Sequence, residues 1–272
     1  MELTWSPAPG KLNLFLHVLG RRPDGYHELQ TVFRLIERSD RVGVAPREDG
    51  KIAFDGPFGE ENLCVRAARL LQAETKSRRG CDLALEKNLP IGGGLGGGSS
   101  DAATVLLVLN RLWDLRLSRD QLLPLAAKLG ADVPFFIYGR NALGEGIGER
   151  LQALELAPAW YLVLTPQVSV STKEIFASAL TQRSKRLKMA PFLSGQGAND
   201  LEAAVVARYP DVAASLAWLR QHRPQARMTG SGACLFAEFE TEAEARALHA
   251  ALPAGMQGFV TRGLERHPLL DP

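Results

Sequence analysis

The residues best able to do chemistry are concentrated in one run, Pro90-Ile91-Gly92-Gly93-Gly94-Leu95-Gly96-Gly97-Gly98-Ser99-Ser100-Asp101. Six of these twelve residues are glycine, and the run ends in two hydroxyls and a carboxylate. The apolar stretch Ala102 to Leu109 follows as a buried helix, while Leu83 to Leu89 alternates loosely like a strand and is closed by Pro90. The run therefore reads as a glycine loop feeding a helix N-terminus, where the first N–H groups lack intrahelical partners and the dipole favours an anion. Glycine removes the Cβ atoms that would hold a phosphate off those amides and permits positive φ where the loop wraps. Ser99 or Ser100 would cap the helix or touch a phosphate or its metal. A plain turn with a serine cap needs one or two glycines, so phosphate binding is the expectation.

The kind of phosphate loop is narrowed by what is missing. No lysine precedes the final serine pair, as the Walker pattern requires. Gly92, Gly94 and Gly97 satisfy G-x-G-x-x-G, and Asp114 lies near the offset of a ribose-binding acid, but no clear strand separates it from the loop. A dinucleotide fold is the weaker fit.

Three further sites carry candidate chemistry. Lys11 follows Pro7-Ala8-Pro9-Gly10 at the mouth of a strand, Leu12 to Leu19, where a cation is ordinarily just solvated. Asp132 stands between a helix stop at Gly130 and the apolar run Val133-Pro134-Phe135-Phe136-Ile137. It reads either as a helix N-cap or as a general base held at a rigid junction. The turn Pro23-Asp24-Gly25 delivers Tyr26 and His27 side by side, suited to hairpin packing or to a planar ligand.

The elements that must position these groups follow from the pattern. Thr31 to Ile36 and Arg41 to Ala45 read as separate strands; Asn62 caps a helix from Leu63 to Ala73; Ser118 with Gln121 forms a capping box for a helix ending at Leu129, in which Pro124 should cause a bend or a late start. Gly139 to Gly148 reads as a glycine-bearing bend. The chain restarts near residue 155, with a strand at Tyr161 to Leu164 and a helix opened by Ser171-Thr172. Arg183 to Lys188 reads as a solvated basic loop, with attraction of a polyphosphate as the alternative. Helices at Asn199-Asp200-Leu201, Val212 to His222 and Glu240 to Leu252 alternate with strands at Leu235 to Ala237 and Gly258 to Thr261. Gly230-Ser231-Gly232-Ala233-Cys234 forms a second small-residue turn.

Composition sets the bounds. A chain of 272 residues with 46% hydrophobic and 23% charged residues is globular and can fill one large domain or two ordinary ones. A net charge of +2 does not argue for a nucleic-acid partner, and no apolar run reaches membrane length. Three separated cysteines without C-x-x-C fit a reduced compartment and no zinc site. Met1 to Trp5 does not read as a signal or transit peptide. The expectation is a cytoplasmic protein, monomeric or a weak homodimer, with no nucleic acid or membrane partner.

Pro9-Gly10-Lys11-Leu12-Asn13-Leu14, the Gly92 to Asp101 loop and Gly230-Ser231-Gly232-Ala233-Cys234, in that order, resemble the galactokinase, homoserine kinase, mevalonate kinase and phosphomevalonate kinase superfamily. Asp24 to Gln30 and Gly130 to Pro134 look like one branch of it, which serves the non-mevalonate isoprenoid pathway. The resemblance implies an α+β fold of two domains: a nucleotide-binding, ribosomal-S5-like domain over 1–155 and a ferredoxin-like domain over 156–272, with the active site between them. It implies ATP as co-substrate with Mg2+, and an acceptor that carries a cytidine diphosphate. By the same resemblance Asp132 takes the acceptor's proton and Lys11 stabilises the alkoxide. Pro90, Ile91, Gly92, Gly93, Gly94, Leu95, Gly96, Gly97, Gly98, Ser99 and Ser100 cradle the nucleotide beside Asn62 and Lys87. Asn13, Tyr26, His27 and Phe176 meet the acceptor. No direct magnesium ligand is named, since Ser99 and Ser100 would reach the ion through water. The alternatives are another kinase of the superfamily, a dinucleotide-dependent oxidoreductase, or an RNA-binding protein.

Overall fold

The computed structural model describes residues 2–178, 184–189, 192 and 197–270. Its frame is a pair of long antiparallel strands, β1 (Thr4–Arg21) and β2 (His27–Arg47). Pro7 and Pro9 lie inside β1, whose only strand partner among the described residues is β2; such an edge position tolerates proline. The two strands read separately from the sequence are one, β2. Register shifts at Pro9/Gly10, Asn13/Phe15 and Val18/Gly20 let the ribbon bend through its polar stretch without breaking.

Onto this ribbon the first sheet adds β3 (Ile52–Asp55), β4 (Gly80–Glu86), β5 (Ala142–Gly146) and β6 (Arg150–Ala153), in the order β3-β4-β2-β5-β6 with β1 beside β2. Only β3–β4 is parallel. The stretch expected to be a glycine-bearing bend is largely strand β5. Gly144 fits there because its bare Cα lies against the Phe33 ring, where a Cβ would collide.

Four helices cover this sheet: α1 (Leu63–Thr75), α2 (Gly97–Leu112), α3 (Arg119–Leu129) and α4 (Val133–Tyr138). Asn62 caps α1 through Cys64 N–H at 2.8 Å, and the Ser118–Gln121 capping box starts α3. That box fixes the start, so Pro124 sits inside α3 and does not delay it. Helix α2 is buried from Ser100 to Leu109, and each fully buried Leu or Val contributes about 1.5–3 kcal/mol.

A second sheet, β7 (Trp160–Leu164), β8 (Arg227–Met228), β9 (Leu235–Phe239) and β10 (Gly258–Arg262), is antiparallel in the order β10-β7-β9-β8. It packs with α5 (Thr172–Ser178), α6 (Glu202–Arg208), α7 (Pro210–His222) and α8 (Glu242–Ala250). A third apolar cluster joins the layers: Leu12 and Leu14 of β1 meet Tyr161, Val163 and Phe236. After β10 the chain returns to the first layer. Leu264 N–H bonds Leu35 O at 2.8 Å, and His267 N–H bonds Gly139 O at 2.9 Å. Of the basic loop Arg183 to Lys188, Arg183 lies outside the described residues.

Candidate active site

Strand alternation divides β1 between two jobs. Leu12 and Leu14 enter the inter-layer core, while Lys11 and Asn13 face a cleft of about 570 Å³ between the layers. The cleft is roofed by the glycine loop, which links β4 to α2. Gly92, Gly94 and Gly96 have φ of +71°, +79° and +71°, and Gly96, not a serine, occupies the N-cap of α2. The serine cap expected from the sequence is therefore corrected: the helix starts at Gly97, which places Ser99 and Ser100 within its first turn. Ser99 lines the cleft, whereas Ser100 is fully buried, with no partner for Oγ among the described residues. At Gly94 a Cβ would run into Thr229 O of the second layer, so this glycine serves the closure of the cleft as well as its curvature.

Lys11 is 2% exposed; its ammonium donates to Asn13 Oδ1 at 2.5 Å and Gly94 O at 2.9 Å, and it forms an ion pair with Asp132 Oδ2 at 3.3 Å. Its own N–H bonds Leu95 O at 2.9 Å, so the strand and the loop are stitched at this residue. Asn13 is oriented in turn: Nδ2 donates to Thr31 Oγ1 at 2.9 Å, and Thr31 donates to Phe15 O at 2.5 Å. That chain leaves Asn13 Oδ1 facing Lys11. Asn13 N–H reaches Thr229 Oγ1 at 2.9 Å, which ties the second layer to the same point.

Asp132 takes the N-cap position of α4 but makes no side-chain cap bond there. Its carboxylate stays about one-third exposed in the cleft beside Lys11. Lys87 also lines the cleft and pairs with Asp40 and, at 2.9 Å, with Asp101. Burial works against the Lys87 charge, yet the two carboxylates outweigh it and hold the pKa above the usual lysine value. Asp101 is pushed up to about 7, chiefly by burial and further by Asp40, against the pull of Lys87.

At the two ends of the cleft the expectations are met unevenly. Asn62 lines the cleft with its polar atoms already used, Oδ1 by the α1 cap and Nδ2 by Pro57 O at 2.9 Å. Phe176 lines the opposite end and touches His27, with ring centroids 5.2 Å apart and planes at 32°. His27 stands behind Phe176 and does not line the cleft; burial, then Arg21, lowers its pKa, and its Nε2 is shut from solvent without a partner among the described residues. Tyr26 is 59% exposed and also lies off the cleft lining.

Sequence reasoning missed several lining groups. Phe58, 65% exposed at φ +67°, forms an apolar lip together with the expected Ile91; the exposure that marks it is visible only in three dimensions. Thr172 and Ser231 share a 2.7 Å hydroxyl contact at the other rim. Asn199 holds the second small-residue turn by donating to Met228 O and Gly230 O, and its only signal is an Asn-Asp pair before a helix.

Comparison with known proteins identifies the family. The family models described as the GHMP kinases N terminal domain and the GHMP kinases C terminal match residues 62–140 and 178–258. The 4-diphosphocytidyl-2-C-methyl-D-erythritol kinase of Thiobacillus denitrificans is 58% identical over 97% of both chains. That of Nitrosospira multiformis is 57% identical over 97% of this chain and 92% of its own. A crystal structure of 4-(cytidine 5'-diphospho)-2C-methyl-D-erythritol kinase superposes with a TM-score of 0.87 at 36% identity, over 96% of this chain and all of that one. A mevalonate kinase structure shares the fold at a TM-score of 0.71 and 12% identity. The chain belongs to the GHMP kinases and, among them, to the 4-diphosphocytidyl-2-C-methyl-D-erythritol kinases.

Proposed function

We infer that the chain transfers the γ-phosphoryl group of ATP to the 2-hydroxyl of 4-diphosphocytidyl-2-C-methyl-D-erythritol. The observation that carries the roles is the Lys11–Asp132 pair at 3.3 Å, at the cleft and beside the glycine loop. Phosphoryl transfer asks little covalent work of a protein; positioning and charge stabilisation do most of it. Asp132, free of a capping duty, accepts the hydroxyl proton as the oxygen attacks. Lys11, 3.3 Å from that carboxylate, offsets the charge developing on the oxygen. The loop from Pro90 to Ser99 and the first amides of α2 hold the phosphates, with Asn62 and Lys87 at the nucleotide end.

Magnesium would arrive with ATP and balance its phosphate charge. The donor beside the loop fits that role: the Ser99 hydroxyl, a hard oxygen, lines the cleft. Ser99 would hold the ion through water, leaving Asp132 to the proton.

The cytosine end is assigned to Phe176, with His27 behind it and Tyr26 at the exposed turn; Asn13 completes the acceptor site. A nucleotide-binding domain over 1–155 and an acceptor-binding domain over 156–272 are part of this reading. Ribosomal-S5-like and ferredoxin-like architectures suit the two sheets. So are a cytoplasmic location and a monomer or weak homodimer. The test is 31P detection of acceptor phosphorylation by wild type and Asp132→Asn with ATP and magnesium; transfer that survives the substitution unchanged removes the base assignment.

A further inference from the structure

The glycine loop rests on a carboxylate that no motif announces. Asp40, in the middle of β2, is fully buried, and both of its oxygens are used. Oδ1 accepts from the N–H groups of Asn88 at 2.6 Å and Leu89 at 2.7 Å, and Oδ2 accepts from Lys87 Nζ. Lys87 gives a second bond to Asp101, near the start of α2. Three distant segments thus meet at one ammonium: the middle of β2, the run entering the glycine loop, and the helix the loop feeds. Gly97 lies directly on this pin, since a Cβ there would come to 3.1 Å from both Asp40 Oδ2 and Lys87 Nζ.

The charge balance separates two accounts of such a cluster. With both carboxylates ionised it is net negative, which opposes an anionic ligand next to it. The Lys87 ammonium is already committed to the two carboxylates, so little of its charge is left for phosphates. If Asp40 acted through charge alone, its removal would tighten nucleotide binding. If it acts through geometry, its removal loosens the loop and weakens binding.

We propose that Asp40 is a positioning residue of the nucleotide site, fixing the entry of the glycine loop against α2 through Lys87 and two backbone amides. The proposal rests on the reading of that loop as the ATP cradle. Asp40→Asn retains an oxygen for the amides but turns an NH2 toward Lys87, which breaks the pin. The KM for ATP should rise about 10-fold, with kcat falling far less and the acceptor KM unmoved. Lys87→Met should do the same, and the double variant should cost no more than the larger single change, because both act through one contact. Tighter ATP binding, additive effects, or an equal rise in both KM values would overturn the assignment. Should Asp40→Asn fail to fold, Lys87→Met at the cleft surface carries the same comparison of KM with kcat. If Gly97→Val also leaves ATP binding intact, the loop itself is misassigned; if Gly97→Val abolishes it while the Asp40 and Lys87 variants do not, only the role of Asp40 fails.

Discussion

Asp132 begins helix α4 without capping it and turns its carboxylate to Lys11, 3.3 Å away. A capping aspartate would bond the N–H groups of its own helix, and losing that bond costs about 1 kcal/mol of stability. A carboxylate directed into a cleft toward a buried ammonium is placed for proton transfer. The two roles make opposite forecasts. Asp132→Asn should lower kcat by at least about 10²-fold with ATP affinity and thermal midpoint nearly unchanged. Steady-state kinetics beside a melting curve decide it, and a stability loss with normal turnover would return Asp132 to the capping role.

Lys11→Ala should damage turnover more than binding, since the charge it answers develops in the transition state. It also removes the donor shared by Asn13 Oδ1 and Gly94 O, so its thermal midpoint should fall where that of Asp132→Asn does not. Equal midpoints for the two variants would show that the ammonium is not part of the frame.

The two loop glycines should part company. At Gly97 a Cβ meets only side-chain atoms, none closer than 3.1 Å, so Gly97→Val should abolish ATP binding with a smaller loss of stability than Gly94→Val. At Gly94 a Cβ strikes the Thr229 carbonyl at φ +79°, so Gly94→Val should lower the thermal midpoint as well. Calorimetric ATP titration and thermal melts on both variants check the difference.

Stacking at the cytosine end contributes about 1–3 kcal/mol per base face. Phe176→Ala should therefore raise the acceptor KM by about 10-fold or more while leaving ATP affinity alone. His27→Ala should weaken the acceptor less than Phe176→Ala does, because His27 packs behind Phe176 and does not line the cleft. Tyr26 at its exposed turn should matter only if the acceptor reaches it, and Tyr26→Ala measures that reach.

Stability should depend on pH through two buried groups of opposite sign. His267, beneath the chain's return to the first layer, is lowered to about 3 by burial and then by Arg119. Its neutral form belongs to the native state, so its contribution is intact above about 6.5 and is lost as pH falls toward 3. Asp101, raised to about 7, binds its proton more readily when folded, so it adds stability as pH drops through 7 toward 4. Melting curves from pH 4 to 7.5 should be shallow for wild type, steeper in acid for Asp101→Asn, and reversed in slope for His267→Leu.

What the sequence makes legible is local chemistry. A glycine run before an apolar helix, a lysine after Pro-x-Pro-Gly and an aspartate after a helix stop can each be read from neighbouring residues. The fold then brings Lys11, Asn13, Asp132 and the loop to one cleft. Long-range pairing is silent in one dimension. Asp40 sits in an ordinary strand alternation, 47 residues from the lysine it holds. Strand β5 hides behind its glycines because its need for them comes from the Phe33 ring across the sheet. Likewise, β1 and β2 exceed their apolar runs because bulges absorb polar residues that would end a straighter strand.

The most direct measurement is an acceptor panel incubated with the purified chain, ATP and magnesium, read by 31P resonance and mass. Phosphorylation of 4-diphosphocytidyl-2-C-methyl-D-erythritol at its 2-hydroxyl is predicted, with none of free methylerythritol phosphate, homoserine or mevalonate, because binding energy from the remote cytidine positions the hydroxyl. Efficient transfer to homoserine or mevalonate, or equal transfer to the acceptor stripped of its cytidine, would contradict it.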